Sequence, residues 1–264
     1  MPGVKKVLTI AGSDPSGGAG IQADLKTFSS LRVYGMAIIS ALTAQNTLGV
    51  SAVAEISPEF VAQQLDAVFT DLAPDAVKTG MLLTAAVIDT VANKMKQYGV
   101  VNLVVDPVMV STSGAPLLQS DAINTLRNVL LPLAGLVTPN VNEASTLTSK
   151  AVVNVEDMEE AALRIHAMGP RHVLIKGGHL EGNDATDVLF DGKEFTHFQS
   201  PRLVTRDTHG TGCVLSAAIT AYVAEGEPVR NAIRLGKEFV TAAIKNGLRI
   251  GNGSGPCDPL ALES

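Results

Sequence analysis

Apolar residues fall along the chain in two alternating patterns. Short unbroken runs, suited to strands buried on both faces, alternate with longer stretches in which apolar residues recur every three or four positions. The first run, around Val7, Leu8, Ile10 and Ala11, stops at the glycine loop Gly12-Ser13-Asp14-Pro15-Ser16-Gly17-Gly18-Ala19-Gly20. Ile21, Leu25, Phe28 and Leu31 then follow at helical spacing. Strand, glycine loop and helix make the first half of a βαβ unit. Further strands are predicted at 36–42, 75–81, 100–109, 136–139 and 172–179, with a short one at 50–56. Helices are predicted from Ser57-Pro58-Glu59 along the face Phe60, Val61, Leu65, Val68 and Leu72, then at 84–98, at 120–131 up to Pro132, and at 156–168.

The alternation breaks at 186–198, where Asp191-Gly192 separates two alternating runs and predicts a β-hairpin at a sheet edge. An apolar helix from Val214 ends near Gly226, another covers 229–248, and the Gly/Pro-rich tail 251–264 reads as loop. The fold class is α/β: a central, mostly parallel sheet with helices on both faces and an edge hairpin. No repeat or linker divides residues 1–264, so one domain is expected.

Composition narrows the function. Apolar residues make up 46% of the 264, and the net charge is −6 with Lys and Arg scattered singly, so neither a nucleic-acid footprint nor a polybasic membrane patch is expected. No apolar run approaches the roughly 20 residues a membrane-spanning helix needs. With no signal peptide and only Cys213 and Cys257 as cysteines, a reduced cytoplasmic protein acting on a small molecule is expected.

The densest chemistry lies in Asp207-Thr208-His209-Gly210-Thr211-Gly212-Cys213, which leads directly into the apolar helix. Glycines let successive N–H groups face one side, and the positive end of the helix dipole adds to them, so the turn suits a phosphate. A thiol at a helix N-terminus is expected to ionise more readily, which would make Cys213 a base beside an anion hole. The same string also fits a well-capped helix start holding a small buried cysteine. His209 suits either a catalytic assistant or a hydrogen-bond partner that shapes the loop.

Gly18-Ala19-Gly20-Ile21-Gln22-Ala23 fits the dinucleotide pattern G-x-G-x-x-A, but no Asp or Glu occurs from Leu25 to Ala54, where that pattern needs an acid for the ribose. A Walker A loop is absent, as is zinc-ligand spacing. Asp106 and Glu143, each just past a strand, suit Mg2+, or equally a helix cap and a loop charge. Gln45 ends a strand on the same sheet edge as the first glycine loop and is placed to bind a ligand.

These segments together resemble the ribokinase superfamily, and within it the hydroxymethylpyrimidine/phosphomethylpyrimidine kinases of thiamine biosynthesis. The resemblance runs nearly end to end and is carried by residues 8–26, Thr43-Ala44-Gln45-Asn46-Thr47, Lys78-Thr79-Gly80-Met81, Asp106-Pro107-Val108-Met109, Thr138-Pro139-Asn140, Lys176-Gly177-Gly178-His179 and Thr208-His209-Gly210-Thr211-Gly212-Cys213. It implies a ribokinase-like fold and an ATP- and Mg2+-dependent kinase that phosphorylates the pyrimidine alcohol and then its monophosphate, and it suggests a homodimer. Gly12, Asp24, Gln45, Met81, Val108 and Cys213 would line the pyrimidine pocket. Lys176, Asn140, Thr208 and the turn Gly210, Thr211, Gly212 and Cys213 would hold ATP, with Asp106 and Glu143 at the metal. Pyridoxal kinases share the architecture, and some share the cysteine turn, but they tend not to keep Gln at the Gln45 position. The tail, Gly255-Pro256-Cys257-Asp258, departs from the more histidine-rich ending of relatives; Cys257 reads as a bystander.

Overall fold

The computed structural model describes residues 3–178, 180 and 184–261; the motif residue His179 lies outside them. The described strands are β1 Lys6–Ser13, β2 Tyr34–Asn46, β3 Gly49–Glu55, β4 Ala76–Thr79, β5 Leu103–Val105, β6 Leu136–Val137, β7 Val173–Ile175, β8 Asp184–Phe190 and β9 Phe195–Pro201. They form one sheet in the order β3-β2-β1-β4-β5-β6-β7-β8-β9. The pairs from β2 to β7 are parallel, while β3 and the β8–β9 hairpin are antiparallel additions at the two edges. Asp191 closes that hairpin by accepting from the N–H groups of Lys193 and Glu194, and Gly192 takes φ 93°.

Successive residues of a strand face opposite sides, and here the two sides bury different partners. Leu8, Ile10, Leu103, Val105, Val173 and Ile175 point to the layer of α2 Pro58–Leu72, α3 Ala85–Gln97, α4 Ala122–Thr125, α5 Val141–Thr148 and α6 Val155–His166. Val7, Val104, Leu136 and Leu174 point to α1 Gly20–Ser30, α7 Thr211–Glu225 and α8 Val229–Lys245. The helix α7 is buried along almost its whole length, wedged between sheet, α1 and α8. Among the described residues no helix is long and apolar enough to cross a membrane.

Several boundaries differ from the sequence pattern. The run 100–109 yields only Leu103–Val105 as strand, because Pro107 cannot donate to a ladder. In place of one helix over 120–131, α4 passes into a π-helical turn at Leu126–Leu130 and a 3-10 turn at Leu131–Leu133, an irregularity expected where Pro132 removes a donor and crowds the preceding turn. Phe60 is not on the buried face of α2. It is 54% exposed, one position off the stripe Val61, Leu65, Val68 and Leu72. Helix α8 stops at Lys245, short of the predicted 248, and just beyond it Gly247 packs too closely on Asp207 to carry a Cβ. The helix α5, unforeseen from periodicity, starts from a capping box in which Asn140 accepts from the Glu143 N–H and Glu143 accepts from the Asn140 N–H.

Candidate active site

The chain enters the parallel sheet at β1, moves outward to β2, then returns to lay β4 on the other side. Such a reversal parts the loops at the strand ends and leaves a crevice beyond the C-termini of β1 and β4. Gly12 and Met81 meet there: a Cβ on Gly12 would lie 2.9 Å from Met81 Sδ. Met81 belongs to a small apolar cluster with Ala41, Leu83 and Leu117, against which Val108 packs. One wall of the crevice is therefore apolar.

The N-terminus of α7 aims at this crevice. Its cap, Gly210, has φ 80°, and a Cβ there would collide with the carbonyl oxygen of Gly18. A Cβ on Gly18 would likewise strike the His209 ring, so the two glycine segments interlock. Gly212 differs. A Cβ on it would sit 3.5 Å from Lys176 Nζ and 4.0 Å from Asp106 Oδ2, so the turn faces an ammonium across a small gap. Thr208 is exposed at the rim, its carbonyl accepting from the Thr211 hydroxyl at 3.1 Å.

Lys176 donates to Asp106 Oδ1 at 2.8 Å; Thr138 donates to the same oxygen at 3.2 Å, and Ser216 of α7 to Oδ2 at 2.9 Å. Asp106 is thus an acceptor hub. Burial works against the charge on Lys176, but Asp106 and Glu143 hold its pKa above the ordinary lysine value. Glu143 accepts from the N–H groups of Asn140, at 2.7 Å, and Met109. Burial pushes its carboxyl up to about 7, with Lys176 opposing and Asp106 reinforcing. Among the described residues, no group of three or more His, Cys, Asp or Glu is arranged to hold a metal. The donor set does not make a resident metal cage. Two carboxylates near enough for Asp106 to raise the Glu143 pKa do fit Mg2+, which takes one or two carboxylates and completes its shell with water and phosphate oxygens.

Cys213 corrects one expectation. Part of its surface is open, but the thiol lies deep enough that burial pushes it up to about 11. The Lys78 ammonium and a hydrogen bond from the Gly20 N–H favour thiolate, while Asp24 and Asp106 disfavour it. The helix N-terminus alone does not prevail over burial and two nearby carboxylates. Below lies a fully buried pair: Lys78 donates to Asp24 Oδ1 at 2.6 Å, and Thr9 donates to Oδ2 at 2.6 Å. Burial opposes the charge on Lys78 more than any single neighbour favours it, but Asp24, Cys213 and Asp106 together hold its pKa above the ordinary lysine value. Asp24 is enclosed beneath the crevice, where its carboxylate is already satisfied. Cys257, in the core between α7 and α8 and near Cys213, is pushed up by burial to about 12, and its N–H donates to the His209 carbonyl.

On the far side, Gln45 sits in the last turnward residues of β2, which extends beyond the predicted strand through pairing with β3. Its Oε1 lies 3.1 Å from Thr43 Oγ1 and its Nε2 lies 3.4 Å from His209 Nε2. His209 is buried, with Nε2 2.9 Å from Asp14 Oδ2. Asp14 also accepts from the Ser16 N–H, the Ser16 hydroxyl and the Ala19 N–H, and so shapes the first glycine loop. Gln45 and His209 line a polar cleft with Asn46, Thr47, Ser113 and Ser254. The fold thus joins Lys176, Asp106, Glu143 and Gly212 in one cluster and Gly12, Met81 and Val108 in another, while Gln45 reaches His209 of the turn that leads to Cys213; Asn140 and Asp24 are committed to internal bonds. Local pattern does not point to Lys78, Thr9, Ser216 or Asp14, because the partners that hold them, Asp24, Asp106 and His209, lie elsewhere in the chain.

Comparison with known proteins identifies the family. The family model described as phosphomethylpyrimidine kinase matches residues 14–258. The hydroxymethylpyrimidine/phosphomethylpyrimidine kinase of Bacillus subtilis is 49% identical, covering 98% of this chain and 96% of its own. The thiamine biosynthesis bifunctional protein ThiED of Geobacter sulfurreducens is 52% identical over 95% of this chain, which spans 51% of that longer protein. Among solved structures, an ADP complex of Bacillus subtilis pyridoxal kinase is similar with a TM-score of 0.92 and 41% identity, covering 99% of both chains.

Proposed function

The chain belongs to the phosphomethylpyrimidine kinase family, and we propose that its crevice transfers the terminal phosphoryl group of ATP to hydroxymethylpyrimidine and then to the resulting monophosphate. What supports this reading is Lys176 Nζ beside Gly212 in the Gly210 to Cys213 turn, whose neighbour His209 reaches Gln45. The turn offers N–H donors to a phosphate, and Lys176 neutralises the charge that spreads over its oxygens during transfer. Gln45, with donor and acceptor on one amide, suits the edge of an aminopyrimidine. The apolar wall suits its ring.

Cys213 is read as the group that receives the proton of the attacking alcohol, through the small thiolate fraction that its raised pKa leaves. Thr208 and Asn140 border the nucleotide side, where Asn140 works through its cap on α5. Mg2+ would be held by Glu143 and Asp106 together with ATP, and when bound it supplies positive charge to the phosphates. Both acids then face a cation, which relieves their mutual repulsion. Residues 1–264 are read as one catalytic domain, supported by the single sheet, acting as a homodimer in the cytoplasm, where two free cysteines persist.

The likeness to pyridoxal kinase supports a second reading, in which pyridoxal is the alcohol. A substrate panel with Mg-ATP decides between them. Turnover of both the pyrimidine alcohol and its monophosphate is expected; efficient turnover of pyridoxal with none of the monophosphate would establish the second reading.

A further inference from the structure

Gln45 can present its amide in two ways, carbonyl toward His209 or carbonyl toward Thr43, and the two have nearly the same shape. The choice decides which ligand edge the crevice accepts. Two independent chains of hydrogen bonds settle it in the same sense.

The first runs through Asp14. Its carboxylate accepts from Ser16 N at 2.9 Å, Ser16 Oγ at 2.7 Å and Ala19 N at 2.9 Å, so it acts as an acceptor only. Burial disfavours its charge, but the bonds from His209 and Ser16 hold its pKa below the usual carboxylate value. His209 Nε2, 2.9 Å from Asp14 Oδ2, must therefore carry the proton. Gln45 Nε2 as placed lies 3.4 Å from this nitrogen, but a protonated ring nitrogen offers it no lone pair, so the hydrogen-bond chain requires the amide to be turned over, with Oε1 at this end. The second chain runs through Thr43. Its hydroxyl lies 2.9 Å from the Ser13 carbonyl, which can only accept, and this uses the single hydroxyl hydrogen. Gln45 Oε1 as placed lies 3.1 Å from Thr43 Oγ1, where no hydroxyl hydrogen is left to reach it; the turned amide brings its nitrogen there instead, donating to the hydroxyl lone pair.

We propose that the Asp14–His209 and Ser13–Thr43 pairs are positioning residues that lock the Gln45 amide with its oxygen toward His209 and its nitrogen toward Thr43. The locked amide selects a ligand edge with a donor on the His209 side and an acceptor on the Thr43 side. The exocyclic amine and adjacent ring nitrogen of an aminopyrimidine form such an edge; a pyridine alcohol lacks the neighbouring amine. His209 is therefore a specificity-determining residue, acting through Gln45 and not on the transferring phosphoryl group. This rests on the functional reading above.

The test measures kcat/KM for hydroxymethylpyrimidine and for pyridoxal, with KM for ATP as control, in wild type, His209→Phe, Thr43→Val, Gln45→Met and the double variant Gln45→Met/His209→Phe. Phe keeps the ring that packs on Gly18 and removes the donor. His209→Phe and Thr43→Val should each lower the preference for the pyrimidine about tenfold or more, with little change in KM for ATP. In the Gln45→Met background, His209→Phe should cause no further loss of preference, since its effect passes through the amide. Should His209→Phe fail to fold, Thr43→Val, which leaves the interlocked glycine segments untouched, decides the matter. Retained preference in folded single variants, or an undiminished His209→Phe effect without Gln45, would overturn the inference. A wild type inert toward the pyrimidine would overturn the functional reading and this inference with it.

Discussion

Lys176 and Asp106 lie 2.8 Å apart although their strands are not neighbours: Asp106 follows β5, Lys176 follows β7, and β6 runs between them. The pair spans the intervening strand because both side chains leave the sheet at its C-terminal edge. Its cationic end is held where Gly212 leaves a gap, so in the proposed reaction a phosphate would take the space of a missing side chain.

Gly212→Ala should therefore separate folding from catalysis. The new methyl meets only Lys176 Nζ at 3.5 Å and Asp106 Oδ2 at 4.0 Å, so thermal stability should change little while kcat/KM for ATP falls about 100-fold or more. Gly210→Ala should behave oppositely, since it combines φ 80° with a collision against Gly18, and should yield little folded protein. Differential scanning fluorimetry beside steady-state kinetics checks both. Wild-type kinetics in Gly212→Ala would place the phosphate elsewhere.

Cys213 should distinguish the two phosphorylations. The alcohol must lose a proton as it attacks, whereas the monophosphate is largely dianionic at neutral pH because its second pKa is about 6. Cys213→Ala is expected to slow the alcohol reaction about 100-fold or more and the monophosphate reaction far less. With the thiol pushed up to about 11, only roughly one molecule in ten thousand carries thiolate at pH 7. The alcohol rate should hence climb with pH without levelling below that value, as should alkylation by iodoacetamide. Equal losses on both substrates would reduce the cysteine to a shaping role.

Glu143 should cost stability at neutral pH. Its folded pKa of about 7 lies above the ordinary 4.5, so its contribution is fully present below 4.5 and is lost as pH rises through 7. Glu143→Gln keeps an acceptor for the Asn140 N–H and should stabilise the nucleotide-free protein at pH 8 by up to about 3 kcal/mol, with a much smaller effect at pH 5. Chemical denaturation at the two pH values measures this, and an equal gain at both would show that burial of charge is not the cause.

The Asp24 and Lys78 pair should respond asymmetrically. Asp24→Asn leaves a buried ammonium without its counter-charge and is expected to cost about 3–5 kcal/mol. Asp24→Asn combined with Lys78→Met should recover most of that loss, because no uncompensated charge remains. Urea unfolding of the single and double variants provides the comparison, and a double variant no more stable than the single one would contradict it.

The amino-acid sequence by itself determined the α/β class, the strand-loop-helix opening, the edge hairpin at Asp191-Gly192 and the glycine turn at the start of α7. These are local: run length, spacing, turn residues and caps act over a few neighbouring positions. What it could not determine is visible in Lys78 and Phe60. Lys78, within a short apolar strand, is buried because Asp24, far away in sequence, meets it there, while Phe60, an apolar residue at the start of a helix, is exposed because the sheet receives the neighbouring stripe. Only the tertiary structure decided the ionisation of Cys213, whose helix N-terminus favours thiolate but whose burial beside Asp24 and Asp106 favours thiol. The same holds for the joining of Asp14 to His209. Charge, dielectric surroundings and hydrogen-bond partners come from residues distant in the chain, and they exist only once the sheet order has brought the strand ends together.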